Sequence, residues 1–157
     1  MRYAKSALVG LFLCVAAACA TAADFAPSQL KAFPRDVLQL EAGGVSTPVQ
    51  VWIADTPEQQ QQGLMFLTDL PAGYGMLFPL GALRFMTMWM KNTYVSLDMV
   101  FIGEGGRVTR IAADTTPLSE EIISSGTPVV AVLELRAGEA RRLGIKVGSL
   151  IRHTLIP

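Results

Sequence analysis

The sequence predicts a single, mainly β domain, either a sandwich or a partly open barrel with two or three short helices. Two observations support this fold class. Short runs of alternating apolar and polar residues follow one another closely, and glycine-containing turns separate them. Only small helices are predicted between these runs, so the pattern favours this class over a parallel α/β sheet. The chain has 157 residues, a length that fits one domain.

The first 22 residues are predicted to be a cleavable signal peptide. Arg2 and Lys5 form a positively charged N-terminal region, residues 7–18 are apolar, and small residues suitable for cleavage by signal peptidase follow. The apolar run of about a dozen residues is shorter than the ~20 that span a bilayer as a helix. We therefore expect an exported protein, periplasmic or secreted, with no membrane span in its mature form.

Both cysteines, Cys14 and Cys19, lie within this signal. Cleavage would leave a cysteine-free mature domain, which excludes an internal disulfide and a thiol nucleophile. A second hypothesis makes Cys19 the lipid-attached cysteine of a bacterial lipoprotein, because small residues precede it. The leucine that usually stands three positions earlier is absent, so the sequence favours plain cleavage.

The next elements carry clear local signals. Residues 23–35 contain two prolines and no clear period, which predicts a linker arm ahead of the β-rich domain of residues 36–157. Alternating runs on both sides of Gly43-Gly44 predict a hairpin. Residues 56–59 then predict the start of a short helix with a capping box, and Gly63 is expected to end it.

Further strands are predicted in the second half of the chain. Residues 84–91 alternate in a way that predicts a strand with three methionines on one face. Residues 97–102 and 107–112 predict a hairpin across a glycine-rich turn, and residues 129–135 predict a strand that is apolar on both faces except at Glu134. A short helix over residues 137–143 and one or two closing strands after it complete the expected domain.

Charge and composition exclude several classes of function. Thirteen basic residues balance thirteen acidic ones, and no basic cluster exceeds Arg141-Arg142, so a nucleic-acid partner is disfavoured. His153 is the only histidine, which excludes a histidine-rich metal site within one chain. The sequence also lacks a phosphate-binding loop and a dinucleotide fingerprint.

The most informative stretch is residues 88–102, in which a run of large apolar residues ends in polar ones. Trp89 could form an apolar wall there, beside donors and an acid typical of a small-ligand pocket. The candidate ligand-binding residues are Trp89, Lys91, Asn92, Thr93, Asp98 and Glu134. In the structural alternative, Asn92 and Thr93 shape a turn while Lys91 pairs with Asp98.

Other functions remain open at this point. Thioethers are soft ligands that suit Cu(I), so Met86, Met88 and Met90 are candidate metal ligands, although methionine also fills irregular cores. A hydrolase or lyase could use Asp98 or Glu134 as its acid–base group, with Lys91 as an electrostatic partner. A purely structural domain that binds a protein partner is a further alternative.

Several motifs, taken together, resemble the domain of unknown function 192 (DUF192) family. They are GLMF at 63–66, GMLF at 75–78, MWMKNTYVSLDMVFI at 88–102, LEL-x-AG at 133–138 and GIKVGSLI at 144–151. The resemblance implies a compact, mostly β, barrel-like domain, often behind a signal peptide, with no assigned activity. The family's signature residues fall on Met65, Met76, Trp89, Met90, Lys91, Asn92, Thr93, Leu97, Asp98 and Glu134. Because the family names no reaction, the leading hypothesis is an extracytoplasmic small-ligand-binding or accessory domain.

Overall fold

The computed structural model describes residues 25–157, and the predicted signal peptide with Cys19 lies outside this range. The described chain is mainly β, as predicted, with one seven-stranded sheet and one two-stranded sheet. The strands are β1 (Arg35–Ala42), β2 (Val45–Ile53), β3 (Tyr74–Arg84), β4 (Thr87–Met88), β5 (Leu97–Ile102), β6 (Val108–Ala112), β7 (Ile123–Ser124), β8 (Val129–Arg136) and β9 (Leu150–Arg152). The helices are α1 (Pro57–Gln62) and α2 (Glu139–Arg142), with 3₁₀ turns at Ser28–Leu30 and Glu104–Gly106.

The large sheet has the strand order β6-β5-β8-β3-β2-β1-β9. Its neighbouring strands are antiparallel except for the parallel pair β2 and β3. The two edges approach each other through an isolated bridge between Arg107 and Leu150, beside which the Val108 N–H donates to the Ser149 carbonyl at 2.9 Å. The sheet therefore curls toward a barrel without closing.

Each face of this sheet carries its own hydrophobic core, because side chains alternate along every strand. In β8, Leu133 and Leu135 belong to one core while Val132 belongs to the other. The first core lies on the face enclosed by the curled sheet. The second includes Trp52 and Phe78, and residues from α1's loop and from the segment around β4 cover it. This covered outer face is where the candidate site lies.

The helix predicted at residue 56 forms as its sequence indicates. The Thr56 hydroxyl accepts a hydrogen bond from the Gln59 N–H at 3.3 Å, and the Gln59 side-chain oxygen accepts one from the Thr56 N–H at 3.1 Å. This capping box is confirmed, and the helix ends at Gly63 with a φ of 49°. None of the helices in residues 25–157 has the length and apolar character needed to cross a membrane.

The prediction of one strand over residues 84–91 is wrong in its extent. Only Thr87–Met88 is a strand there, and it pairs with β7. The preceding strand, β3, instead continues through Pro79 to Arg84, with a shift in its register against β8. Proline cannot donate to the ladder, but an irregularity of this kind lets a strand pass it. The expected stripe of three methionines is broken as a result.

The predicted linker arm packs against the domain in its described part. Leu30 and Phe33 are buried in the outer core. The Phe25 ring lies edge-on to Trp52, with 5.9 Å between the ring centroids. These residues therefore help to cover the outer face of the sheet, a role that their sequence pattern did not indicate.

Candidate functional site: a cleft beside Glu134

Two cavities meet on the outer face of the sheet, and we call them together the Glu134 cleft. The inner cavity measures about 70 Å³ and the outer one about 330 Å³. The lining residues that both share are Gln61, Gln62, Met65, Trp89 and Lys91. The inner cavity reaches Glu134, whereas the outer one extends to Phe66 and Asn92. Helix α1, the loop after it and the segment around β4 thus form walls above β8.

Glu134 is the buried acid at the inner end of this cleft. It lies in the middle of β8, opposite Met76 of β3 and Met99 of β5, and is only 4 % exposed. No described residue donates a hydrogen bond to its carboxyl group. Burial raises the pKa of Glu134 to about 8, so the group is mostly protonated at neutral pH. Its carboxyl oxygens keep some accessible surface toward the cavity, because the fully enclosed side-chain atom without a hydrogen-bond partner in the described range is His153 Nε2. Perturbed acids in a cleft are typical of functional sites.

Trp89 and Lys91 form the wall that both cavities share. Trp89 is 40 % exposed, and the Lys91 ammonium lies over its ring at 5.1 Å from the centroid. The Lys91 ammonium forms this ring contact and no ion pair with a carboxylate within residues 25–157. The cleft therefore has two charged side chains, Lys91 and Glu58, in the lining of its outer cavity and a mostly protonated carboxyl group at its inner end.

The rim of the outer cavity contains two residues in the left-handed region of backbone conformation. Phe66 has a φ of 64° and Asn92 a φ of 54°, and the Phe66 N–H donates to the Asn92 carbonyl at 2.8 Å. For a bulky residue such as Phe66 this conformation costs ~1–2 kcal/mol, and such strain clusters at functional sites. Sequence reasoning missed Phe66, because no residue pattern distinguishes it from an ordinary loop aromatic.

Asn92 and Thr93 line the cleft and also shape the turn that carries Lys91. The Thr93 hydroxyl donates to the Lys91 carbonyl at 3.3 Å and lines the inner cavity. The Asn92 side chain lines the outer cavity and contacts the Met65 sulfur at 3.9 Å. The turn role that the sequence suggested and the lining role are therefore compatible.

Asp98 lies on the opposite face of the sheet. Glu134 is opposite Met99, whereas Asp98 is opposite Leu135, so the two acids point in opposite directions. The Asp98 carboxylate accepts hydrogen bonds from the Asp114 N–H at 3.0 Å and from the Ala140 N–H at 2.9 Å, at the start of α2. The expected pairing of Lys91 with Asp98 is therefore wrong, and the structure brings Asp98 to a backbone-binding position outside the cleft.

Met90 is separated from the other two candidate metal ligands. Met86 and Met88 line the inner cavity together with Met65. Met90 is fully buried in the outer core, and its sulfur accepts a hydrogen bond from the Thr115 hydroxyl at 3.1 Å. Within the described range, no group of three histidine, cysteine, aspartate or glutamate residues is placed to hold a metal ion.

A larger cavity of about 580 Å³ lies beside His153. The His153 side chain is 2 % exposed, its Nδ1 accepts from the Leu155 N–H at 3.2 Å, and its Nε2 lies 3.2 Å from an Asp36 oxygen. Nδ1 thus has a partner within the protein, whereas Nε2 is enclosed beside Asp36 without a hydrogen bond to a described residue and is not open to a substrate. The Glu134 cleft is the better candidate because its acid lines a cavity that Trp89 and Lys91 also line.

The comparisons with known proteins agree with this fold. The model of the DUF192 family, described as an uncharacterized ACR, matches residues 38–153. A protein from Sinorhizobium meliloti 1021, described as a proposed transcription regulator, is 38% identical with a TM-score of 0.76, over 79% of this chain and 97% of its own. A protein of unknown function from Novosphingobium aromaticivorans DSM 12444 is 30% identical with a TM-score of 0.72, over 83% of this chain and 100% of its own. No curated protein matches the chain. The chain belongs to the DUF192 family.

Proposed function

We propose that the protein is an exported small-ligand-binding domain whose ligand occupies the Glu134 cleft. The observation that carries this proposal is the Glu134 carboxyl group, which is buried against the inner cavity without a hydrogen bond from any described residue. A ligand that hydrogen-bonds to this carboxyl group would supply a partner that the described residues do not.

The lining of the cleft supports the same proposal. Trp89 offers an exposed apolar face, while Gln61, Gln62 and Asn92 offer amides around the outer cavity. Apolar walls with a few convergent polar groups are typical of small-molecule sites. The left-handed backbone at Phe66 indicates that this part of the rim is held in a strained shape.

A role in transcription, as described for the Sinorhizobium relative, has weaker support in this chain. Removal of the signal, with Arg2 and Lys5, leaves 11 basic residues from the original 13 against 13 acidic ones. Proteins that bind DNA through its phosphates require a basic surface. The predicted export would also separate the mature protein from the chromosome.

The ligand-binding proposal can be tested on protein from a native host. The mature chain would be purified without denaturation, and native mass spectrometry would detect small molecules that remain bound. We expect a bound compound that the Glu134→Gln variant loses and the Glu104→Gln variant keeps, since Glu104 lies in an exposed turn outside the cleft. A compound that both variants retain would contradict the proposed site.

Export has its own test in the same preparation. The small residues around positions 18–22 predict that the mature chain begins between Thr21 and Asp24. N-terminal sequencing of the purified protein would read this start directly. Retention of Met1 would contradict export, and a lipid on Cys19 would show an anchored form in place of the soluble one.

A second candidate function, Cu(I) binding, is favoured by one observation. Three thioethers, from Met65, Met86 and Met88, line the same inner cavity beside Trp89. Thioethers suit Cu(I), and an aromatic face can stabilise a bound cation. This set replaces Met90 of the sequence-based hypothesis with Met65.

Titration with Cu(I) under reducing conditions tests this second candidate. If the site binds the ion, Trp89 fluorescence should fall, and replacement of Met65, Met86 and Met88 by leucine should abolish the effect. Met90→Leu is the matched control, because Met90 lies in the core and not in the cavity lining. Quenching that survives in the triple variant, or that Met90→Leu abolishes, would exclude this metal site.

A further inference from the structure

We infer that the part of the ligand that enters the inner cavity is a primary ammonium group. This inference rests on the proposed ligand-binding function and specifies the chemistry of the same site. Four properties of the cleft support it: the balance of donors and acceptors, the nature of the apolar walls, the position of charge, and the size of the inner cavity.

The polar lining of the inner cavity includes several acceptors without a partner among the described residues, beside the donors of Lys91 and Gln61. Gln60 donates from its amide nitrogen to the Pro79 carbonyl at 3.0 Å, and Gln62 donates to the Gln29 carbonyl at 2.9 Å. Neither amide oxygen receives a hydrogen bond from a described residue. Thr93 already donates its hydroxyl proton within its own turn, and the Glu134 carboxyl becomes a pure acceptor when it loses its proton. A group with several N–H donors and no acceptor complements such a lining, and an ammonium is that group.

The apolar walls also favour a cation over an anion. They consist of three methionine side chains together with Phe78 and Trp89. Aromatic faces attract cations through the ring quadrupole, and thioether sulfur is a polarisable, weak acceptor. The Lys91 ammonium on the Trp89 ring shows that this wall already accommodates a primary ammonium.

The charged and titratable groups of the cleft are Lys91 in both cavities, Glu58 in the outer one, and Glu134, which is mostly protonated at neutral pH. Lys91 lines both cavities, yet its ammonium lies on Trp89 and forms no ion pair with Glu134. A cation bound next to Glu134 would favour the ionised carboxylate, whose pKa in the free protein is raised to about 8 by burial. Binding should therefore release a proton at neutral pH and become tighter as the pH rises.

The sizes of the two cavities limit the ligand further. The inner cavity of about 70 Å³ admits a small head group, whereas the outer cavity of about 330 Å³ has room for a larger body. A bare –NH₃⁺ on an alkyl chain fits this division. A bulky quaternary ammonium has no N–H donors and would fill the inner cavity with methyl groups.

The inference can be tested with three probes of nearly equal size: n-butylammonium chloride, n-butanol and sodium butyrate. Each would be titrated into the mature protein, with the methyl NMR signals of Met65, Met86 and Met88 as the readout. We expect n-butylammonium alone to shift these signals strongly. Its affinity should rise about tenfold between pH 7 and pH 9, because Glu134 ionises over this range while an alkylamine remains protonated.

Two variants separate the roles of the charged residues. Glu134→Gln should remove the pH dependence and weaken n-butylammonium binding at pH 9 by at least about tenfold, since the carboxylate is lost. Lys91→Met should strengthen binding several-fold, because it removes a like charge from the mouth of the cleft. Glu104→Gln, outside the cleft, should match the wild type in both respects.

The outcomes distinguish this inference from the proposal on which it rests. Equal or stronger binding of butanol or butyrate, abolished by Glu134→Gln, would overturn the ammonium assignment while cleft binding stands. A co-purified neutral or anionic compound lost in Glu134→Gln would do the same. If none of the probes shifts the methionine signals and no compound co-purifies, both the inference and the proposed function are wrong.

Discussion

Replacement of Glu134 by glutamine is the most informative single perturbation of the fold. Glutamine preserves the size of the side chain but cannot ionise. Glu134 is 4 % exposed between Met76 and Met99. Ionisation at this position therefore costs free energy, because the charge loses most of its hydration. The variant should therefore differ from the wild type in how its stability depends on pH.

The sign and size of this difference follow from the two pKa values. The pKa of Glu134 is about 8 in the folded protein, against 4.5 for an unperturbed glutamate. Between these values the folded state holds a proton that the unfolded state has released, so this residue's contribution to stability falls as the pH rises. The loss of stability between the two pKa values amounts to ~3–5 kcal/mol. The lower value applies if water enters the cleft and hydrates the carboxylate. The contribution is fully present below pH 4.5 and is lost above about pH 8.

Urea denaturation of the wild type, Glu134→Gln and Glu104→Gln at pH 5, 7 and 9 would measure this effect. Because other groups titrate identically in all three proteins, the difference between wild type and Glu134→Gln isolates the one carboxyl group. We expect this difference to shift in favour of the variant by several kcal/mol between pH 5 and pH 9. A difference that stays constant with pH would refute a buried, neutral Glu134.

Two further predictions concern the sheet around the cleft. Asp98→Asn should lower the free energy of unfolding by ~1–3 kcal/mol, because the amide has one acceptor oxygen for the two N–H groups, one of them buried, that the carboxylate binds. Combined with Lys91→Met, its effect should be additive within ~0.5 kcal/mol in urea denaturation, since the residues share no partner, and a larger coupling would mean that they interact after all. Gly75→Ala should destabilise by ~2–4 kcal/mol in the same assay, because its Cβ would lie 2.5 Å from the Glu134 carbonyl oxygen and 2.9 Å from a Leu135 methyl group. A loss below ~0.5 kcal/mol would mean that β3 and β8 separate easily at this point.

The elements that the sequence predicted well are those with local chemical signals. The hairpin at Gly43-Gly44 and the capped helix at Thr56 depend on residues within a few positions of one another. The course of β3 was not predictable in this way. Pro79 and Gly81 suggest a break, and the strand passes them only because β8 pairs with it on both sides of an irregularity.

The candidate site was predictable only in part for a similar reason. Trp89, Lys91, Asn92, Thr93 and Glu134 were named from composition, and all five line the cleft. The proximity of Lys91 and Asp98 along the chain suggested a pair that the pleat of β5 prevents. Contributions from α1 and its loop could not be foreseen, because they depend on how the helix folds back over β8.

The opposite orientations of Glu134 and Asp98 have a consequence for how the sheet assembles. A slip of β8 by one residue would turn every one of its side chains to the other face. It would move Glu134 into the core enclosed by the curled sheet and expose a leucine to the cleft. An equivalent slip of β5 would take Asp98 away from the two N–H groups that it binds. Apolar side chains fill both faces of these strands and could tolerate either arrangement, so the two acids distinguish the correct alignment during folding.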